Sequence, residues 1–205
     1  MNYPVFWDIV KCRIAKEGLI LTIWYFFVTI FLGRLGIEFN NLYRAELPCD
    51  SVCIESVKIF YTLNDIPTPL HSMLDKLMGS NGFVSRNMED DKVLAVGFES
   101  DQPVSWCWLT RIKNQHSFLE PGDWLIHSCA TLPAVKGQGF YPRSIRSLVQ
   151  VATNQWLSGN GGKFLYIECS IANNSSIKGI KKAGLEKKAL LIKFWGRMFL
   201  RWKFI

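Results

Sequence analysis

The sequence is short of several things, and each shortage removes a class of function. Only three histidines occur in 205 residues, His71, His116 and His127. The six cysteines are Cys12, Cys49, Cys53, Cys107, Cys129 and Cys169, with no CxxC pair, and only Cys49 and Cys53 lie close together. A structural zinc site needs closely spaced Cys and His ligands, so no metal is expected. Reduced thiols of an intracellular protein are the plainer reading, since three of the cysteines sit inside apolar runs. No GxxxxGK[ST] occurs, which excludes a P-loop. Nor is there a compact basic run. The net charge of +7 favours an anionic partner. Because Lys and Arg are scattered, nucleic acid is not the expected one. Internal repeats and low-complexity tracts are also missing. With 49% apolar and 20% charged residues the chain can build a core, and its length suits one domain with an extra terminal element.

A long charge-free run is nearly missing too. The stretch GLILTIWYFFVTIFLG, Gly18 to Gly33, is uncharged but stops at Arg34, short of the roughly 20 apolar residues that a spanning helix needs. The preceding FWDIVKCRIAKEG alternates apolar and basic residues, which suits a helix lying on a membrane surface. A membrane-associated helix, monotopic or marginally spanning, is the expectation. The alternative is a helix packed on its own domain or on a partner subunit. No small-residue cleavage site follows, so a cleaved signal peptide is not expected. Residues 1–45 are therefore set apart as an N-terminal hydrophobic and amphipathic segment, and 46–205 as the main domain.

Past a polar connection, NNLYRAELPCD, the pattern alternates between periods. Val52, Ile54, Val57, Ile59 and Tyr61 suit a strand, and Leu70, Met73, Leu74 and Leu77 a short helix ended by Gly79 to Gly82. Apolar runs at Val93 to Phe98 and Val104 to Ile112, split by SDQP, predict a hairpin. A loop leads to a strand at Trp124 to Leu132. A helix follows from Pro142 to about Trp156, with Ile145, Leu148, Val149, Ala152 and Trp156 on one face. Then come a buried strand, KFLYIECSI, a short helix, NNSSIKGIKKAG, and two strands around Gly196 and Arg197. Strands followed by helices in this order predict one mixed α/β domain.

The turn LPAVKGQGFYPRSI carries a ligand-binding signal. A dinucleotide fingerprint needs GxGxxG, and GQGFYP has Pro142 at the third place. What remains is a strand, a loop with Gly137 and Gly139, and a helix with proline in its first turn. The amides of Gln138, Gly139, Phe140 and Tyr141 would then stand at a positive helix end, suited to a diphosphate. Glycine at 137 and 139 removes the Cβ atoms that would hold a ligand off the backbone.

At this point the sequence resembles the GNAT superfamily of acyl-CoA-dependent N-acyltransferases. Their acyl-CoA motif runs strand, Pro, two residues, [R/Q]xxGx[G/A], helix. TLPAVKGQGFY is similar to it, with Lys136 in the Arg/Gln position and Tyr141 in the last. Downstream, IECSIANNSSIKGIKKAGLEKKA resembles the second motif, with Asn173, Ser176, Lys182, Gly184 and Leu185 in its places. The resemblance covers about Val52 to Ile205.

The resemblance implies an α/β fold: a central mixed, mostly antiparallel sheet with a splayed parallel strand pair, flanked by helices. The pantetheine lies in the splay, and the thioester carbonyl meets a backbone N–H. Carried over, acetyl-CoA or another short acyl-CoA is the co-substrate. Its contacts would be Cys129, Thr131, Leu132, Lys136, Gly137, Gln138, Gly139, Phe140, Tyr141, Asn173 and Ser176. Positioning the two reactants and stabilising the oxyanion would supply most of the rate. The family often places a carboxylate near the start of the first splayed strand, but that register is Leu125. His127, two residues on and so on the same face, is the candidate base, with a suitable ordinary pKa. Hydrogen bonding in the core is its alternative role. Glu168, in an otherwise apolar strand, is a second candidate, and Glu120 and Asp123 are weaker ones. The family's thiolate-protonating tyrosine falls at Ile180, so Tyr141 or Tyr166 would have to replace it.

Trp106, Trp108, Phe118 and Trp124 could form an aromatic platform for a sugar, or simply be strand residues. The expected activity is acyl transfer to the primary amine of a small molecule, an amino sugar first. The alternatives are a long-chain N-acyl amino acid synthase and a non-catalytic, membrane-attached acyl-CoA-binding module. The expected place is the cytoplasm, at or near the inner face of a membrane, with homodimer formation left open.

Overall fold

The computed structural model describes residues 14–15, 18–32, 34–49, 56–79, 82–88, 91–113, 119–194 and 197–203. In chain order the elements are helix α1 (Leu19–Phe26), strands β1 (Ile37–Glu46) and β2 (Val57–Phe60), and helices α2 (Thr68–Leu77) and α3 (Phe83–Asn87). The hairpin β3 (Lys92–Glu99) and β4 (Gln102–Arg111) follows, then β5 (Trp124–Thr131), α4 (Phe140–Leu157), β6 (Phe164–Ser170) and α5 (Asn174–Lys182). Strands β7 (Glu186–Phe194) and β8 (Arg197–Lys203) close the chain.

These elements fall into two units. The larger comprises Tyr43–Glu168 and Lys178–Lys187. Its strand order is β2-β3-β4-β5-β6-β1. Pairing is antiparallel from β2 to β5, and β5 pairs parallel with β6. The hairpin turns on Ser100 and Asp101, both at positive φ (46° and 66°), between the partners Glu99 and Gln102. Two residues at positive φ give a turn whose twist matches that of the strands.

One face of this sheet packs on α2 and α3 through Phe60, Ile66, Leu74, Val84, Leu94, Val96, Trp106 and Trp108. The other receives α4. Of its predicted stripe, Ile145, Leu148, Val149 and Ala152 are buried and Trp156 is half-buried, and the Ser105 and Ser144 hydroxyls meet at 3.1 Å. Gly97 allows this approach, because a Cβ there would collide with Ser105. Helix α4 stops at Ser158, followed by Gly159 at φ 75°, the left-handed residue that commonly ends a helix.

The smaller unit takes in the described residues of Met1–Leu42, Cys169–Ile177 and Lys188–Ile205. Here the order is β1-β7-β8, and β7 pairs antiparallel with β8 from Ala189↔Lys203 to Phe194↔Arg197. Helix α1 passes into a π-helical stretch, Phe27–Leu32. No helix among the described residues is long and apolar enough to cross a membrane.

Two expectations need correcting. The stretch taken as a polar connection holds strand β1. Asn40 and Asn41 are buried in it beside Leu42 and Tyr43, and buried amides disguise the apolar alternation on which a strand reading depends. A second short helix, α3, follows Gly82 where only a helix end was expected. The FWDIVKCRIAKEG helix, of which only Ile14, Ala15 and Gly18 are described, and Val52, Ile54, Cys12, Cys53, His116 and Phe118 lie outside the described residues.

Candidate active site

The loop between β5 and α4 is shaped by its own backbone. After β5, Leu132 N–H donates to Val104 O at 2.8 Å, and Pro133–Val135 form one 3-10 turn. Gly137 and Gly139 then take φ of 91° and 88°, conformations that cost other residues about 1–2 kcal/mol. A Cβ at Gly137 would meet nothing within 4 Å, so the side of the loop it faces is open. Lys136 beside it is exposed.

One residue that the sequence reading missed organises this loop. Arg143 donates from Nε to Gly139 O at 3.2 Å and from Nη2 to Gln138 O at 2.9 Å. Its Nη1 reaches Ser56 Oγ at 3.1 Å, and the guanidinium lies over the Phe140 ring, 4.4 Å from the centroid. In a trans peptide the C=O and the following N–H point in opposite directions. Pinning these two carbonyls to Arg143 therefore aims the N–H groups of Gly139 and Phe140 away from it, at the positive end of an 18-residue helix. Gln138 differs from expectation, since its N–H donates back to Val135 O at 3.3 Å. The only hint in the sequence is an arginine four residues after a helix-capping glycine.

The second feature is where β5 and β6 stop pairing. Their register runs Trp124↔Leu165, Leu125↔Tyr166, Ile126↔Ile167 and then ends, while β5 continues to Thr131. His127 and Glu168 are the next residues on each strand. Partners in a parallel pair share a face, so the register places these two candidates on the same side of the sheet at the parting point. Farther along β5, Thr131 Oγ1 is buried without a hydrogen-bond partner. Such an atom normally finds one.

His127 is engaged at both ring nitrogens. Nε2 lies 2.6 Å from Thr110 Oγ1 and Nδ1 lies 3.1 Å from Ser128 Oγ. Burial, and secondarily the positive charge of Lys92, hold its pKa below the usual histidine value. The ring is therefore neutral at pH 7 and able to accept a proton. Ser128 is exposed and has φ 48°, where the β4–β5 register shifts between Trp106 and Trp108. Cys129 points its thiol to His127 O at 3.4 Å. Burial raises the pKa of the Cys107 thiol on β4, and a hydrogen bond to Cys129 acts in the same direction.

The remaining candidates divide. Tyr141, in the first turn of α4, lays its ring on Gly179 of α5, where a Cβ would collide with it. Its neighbour Ile180, at the position of the family's tyrosine, is fully buried. Tyr166 is buried in β6. Asn173 and Ser176 belong to the smaller unit, where Asn173 Oδ1 accepts from Ser175 Oγ (2.9 Å) and Ser176 N–H (3.2 Å) and caps α5. Asp123 holds the strands together at their start. Its carboxylate accepts from Phe164 N–H (3.2 Å) and Glu120 N–H (3.3 Å). Burial raises its pKa with help from the Glu120 charge, against the pull of those amides and Arg44. Trp106, Trp108 and Trp124 are 8%, 1% and 4% exposed, so they are core residues rather than a sugar platform.

A mixed sheet with one parallel pair that parts midway, and a glycine loop opening a helix beside it, is the fold of the GNAT superfamily of N-acyltransferases. Among solved structures the chain is similar to a GNAT-family protein from Novosphingobium aromaticivorans, with 12% identity and a TM-score of 0.56 over 82% of this chain and 66% of that one. It is similar also to an acetyltransferase of the GNAT family from Colwellia psychrerythraea, with 10% identity and a TM-score of 0.51 over 82% and 56%. The chain thus spans under two thirds of the length of these proteins, and at such identities the likeness is one of fold. No protein-family profile and no curated protein matches the sequence.

Proposed function

We propose that this protein transfers an acetyl or other short acyl group from acyl-CoA to the primary amine of a small molecule, an amino sugar before an amino acid. The observation that carries this reading is the end of β5–β6 pairing at Ile126↔Ile167 beside the Arg143-braced loop. In this reading the pantetheine arm takes the backbone of β5 left unpaired by β6, and the loop offers amides to a diphosphate. The donor would lie along Cys129, Thr131 and Leu132, with its phosphates at Lys136, Gly137, Gly139, Phe140 and Tyr141; Asn173 and Ser176, the remaining contacts that the resemblance implies, belong to the smaller unit. When bound, acyl-CoA supplies the activated acyl carbon. The chain's own residues orient it, exclude water and manage the proton of the amine. His127 is the base, with Glu168 as the other base candidate on the same face, and Tyr141 is the candidate acid.

Acetyl-CoA at millimolar concentration is expected to raise the unfolding midpoint by several degrees, since about 2.7 kcal/mol is gained at 100 times Kd and each kcal/mol is worth about 2–4 °C at this size. An unshifted midpoint overturns the donor assignment. Free-thiol release from acetyl-CoA, measured across amino sugars, amino acids and polyamines, tests the transfer itself. A second reading, an acyl-CoA-binding module without transfer, draws on the buried Ile180 at the tyrosine position. It predicts the thermal shift with no thiol release.

We also propose that α1 rests on a membrane surface. Leu19, Ile20, Leu21, Ile23 and Trp24 of α1, and Phe27, Phe31 and Leu35 after it, are all exposed, clustered apolar side chains of the kind that mark interaction sites, with Arg34 among them.

A further inference from the structure

Ser128 sits in the β4–β5 bulge, where the register shifts between Trp106 and Trp108. Its φ of 48° lies in the left-handed region, where a glycine would sit without the penalty of about 1–2 kcal/mol that a side chain brings. The serine side chain is exposed and its oxygen lies 3.1 Å from His127 Nδ1. Across the ring, Nε2 lies 2.6 Å from Thr110 Oγ1 on the neighbouring strand. Three side chains thus form one line from the protein interior to the point where β5 and β6 part. The strained residue is the outer end of that line.

We propose that Ser128 is a catalytic residue, the hydroxyl that takes the proton from the acceptor amine and passes its own to His127. This inference rests on the acyl-transfer reading of the same site. In the step, the amine nitrogen bonds the thioester carbon and the C–S bond breaks with its electron pair on the sulfur of CoA. One N–H proton moves to Ser128 Oγ as the serine proton moves to His127 Nδ1. The imidazolium then returns a proton to the thiolate or to water. The relay requires the tautomer with hydrogen on Nε2 donated to Thr110 Oγ1, so that the lone pair of Nδ1 faces Ser128. Thr110 is a positioning residue that holds this tautomer. The charged and titratable groups facing His127 are Lys92 on β3 and, by register, Glu168 on β6. On α2, packed on the sheet, His71 and Asp75 interact with each other, and Asp75 is tied to the Gly82 and Val84 amides.

The test compares wild type with Ser128→Gly, which suits the backbone at φ 48° and removes the hydroxyl together with its Cβ. The assay uses acetyl-CoA with whichever of glucosamine, lysine and spermidine turns over fastest in the wild type. Ser128→Gly is expected to lower kcat about 100-fold, the usual size of a general-base contribution, with acetyl-CoA Kd unchanged within twofold by calorimetry. Adding His127→Gln is expected to cost little more, because the pair acts as a unit. Full activity in Ser128→Gly with unchanged Kd overturns the relay and leaves acyl transfer standing. No turnover by wild type with any of these amines, despite acetyl-CoA binding, overturns both. Independently of turnover, the ring 15N shifts of His127 at pH 8 are expected to show hydrogen on Nε2, to change in Thr110→Val and to be restored in Thr110→Ser. Hydrogen on Nδ1 in the wild type overturns the relay.

Discussion

His127 is kept neutral by burial and by Lys92, which gives its pH dependence a definite sign. A histidine pKa that folding lowers makes a stabilising contribution that is whole above the unfolded value of about 6.5 and is lost as pH falls toward the folded one. Denaturant unfolding of the wild type between pH 7.5 and 5 is expected to show this loss, and His127→Gln to flatten it. The rate of transfer should fall over the acid part of that range if His127 is the base proposed above. Arg143 braces the proposed donor loop instead. Arg143→Leu frees the carbonyls of Gln138 and Gly139, and charge-assisted hydrogen bonds of this kind are worth about 1.5–3 kcal/mol. Acetyl-CoA Kd by calorimetry is expected to rise about tenfold or more, and an unchanged Kd would show that the loop needs no brace. Position 127 and the two glycines could be singled out in the sequence because each is unusual for its segment. Thr110, Ser128 and Arg143 could not, since each matters through a partner supplied by folding.

The element between α2 and β3 depends on one carboxylate. Asp75 is 8% exposed, and accepts from Val84 N–H at 2.8 Å and Gly82 N–H at 2.7 Å. Burial alone would raise its pKa, but these amides and His71 outweigh burial and lower it. It caps α3, a helix too short to persist by propensity. Asp75→Ala is expected to reduce the unfolding free energy by about 1–3 kcal/mol at neutral pH. That difference should shrink as acid titrates the wild-type carboxylate below its ordinary value near pH 4. Urea melts at pH 7 and pH 3 check both parts. The long periodic elements, α4 and the β3–β4 hairpin, were legible because their apolar spacing matches their geometry. Helix α3 was not, because its signal is an aspartate on the preceding helix. Strand β1 was not, because buried Asn40 and Asn41 interrupt its pattern.

For the molecule as a whole, the exposed apolar face of α1 is the main unsettled surface. Ile20→Ser, Ile23→Ser and Trp24→Ser together would remove side chains that are 81%, 60% and 44% exposed. They are expected to abolish co-sedimentation with vesicles containing anionic lipid while leaving the urea midpoint within about 1 kcal/mol, as exposed positions usually do. Vesicle binding that survives the triple variant would show that attachment lies elsewhere. A core substitution behaves in the opposite way. Leu148, fully buried under α4, is expected to cost about 2–5 kcal/mol when replaced by alanine.

Local pattern was enough for the α/β class, the glycine loop at a helix start and the two GNAT-like motifs, because spacing and turn chemistry are written in neighbouring residues. Folding was needed for whatever depends on contacts between distant strands. The stop in β5–β6 pairing after Ile126↔Ile167, the line Thr110–His127–Ser128, and the turning of Gly139 and Phe140 amides outward by Arg143 are all of this kind. So is the burial that turns Trp106 and Trp108 from a sugar platform into core. A sequence records which groups a chain owns, and their chemistry depends on the partners and solvent that the fold leaves them.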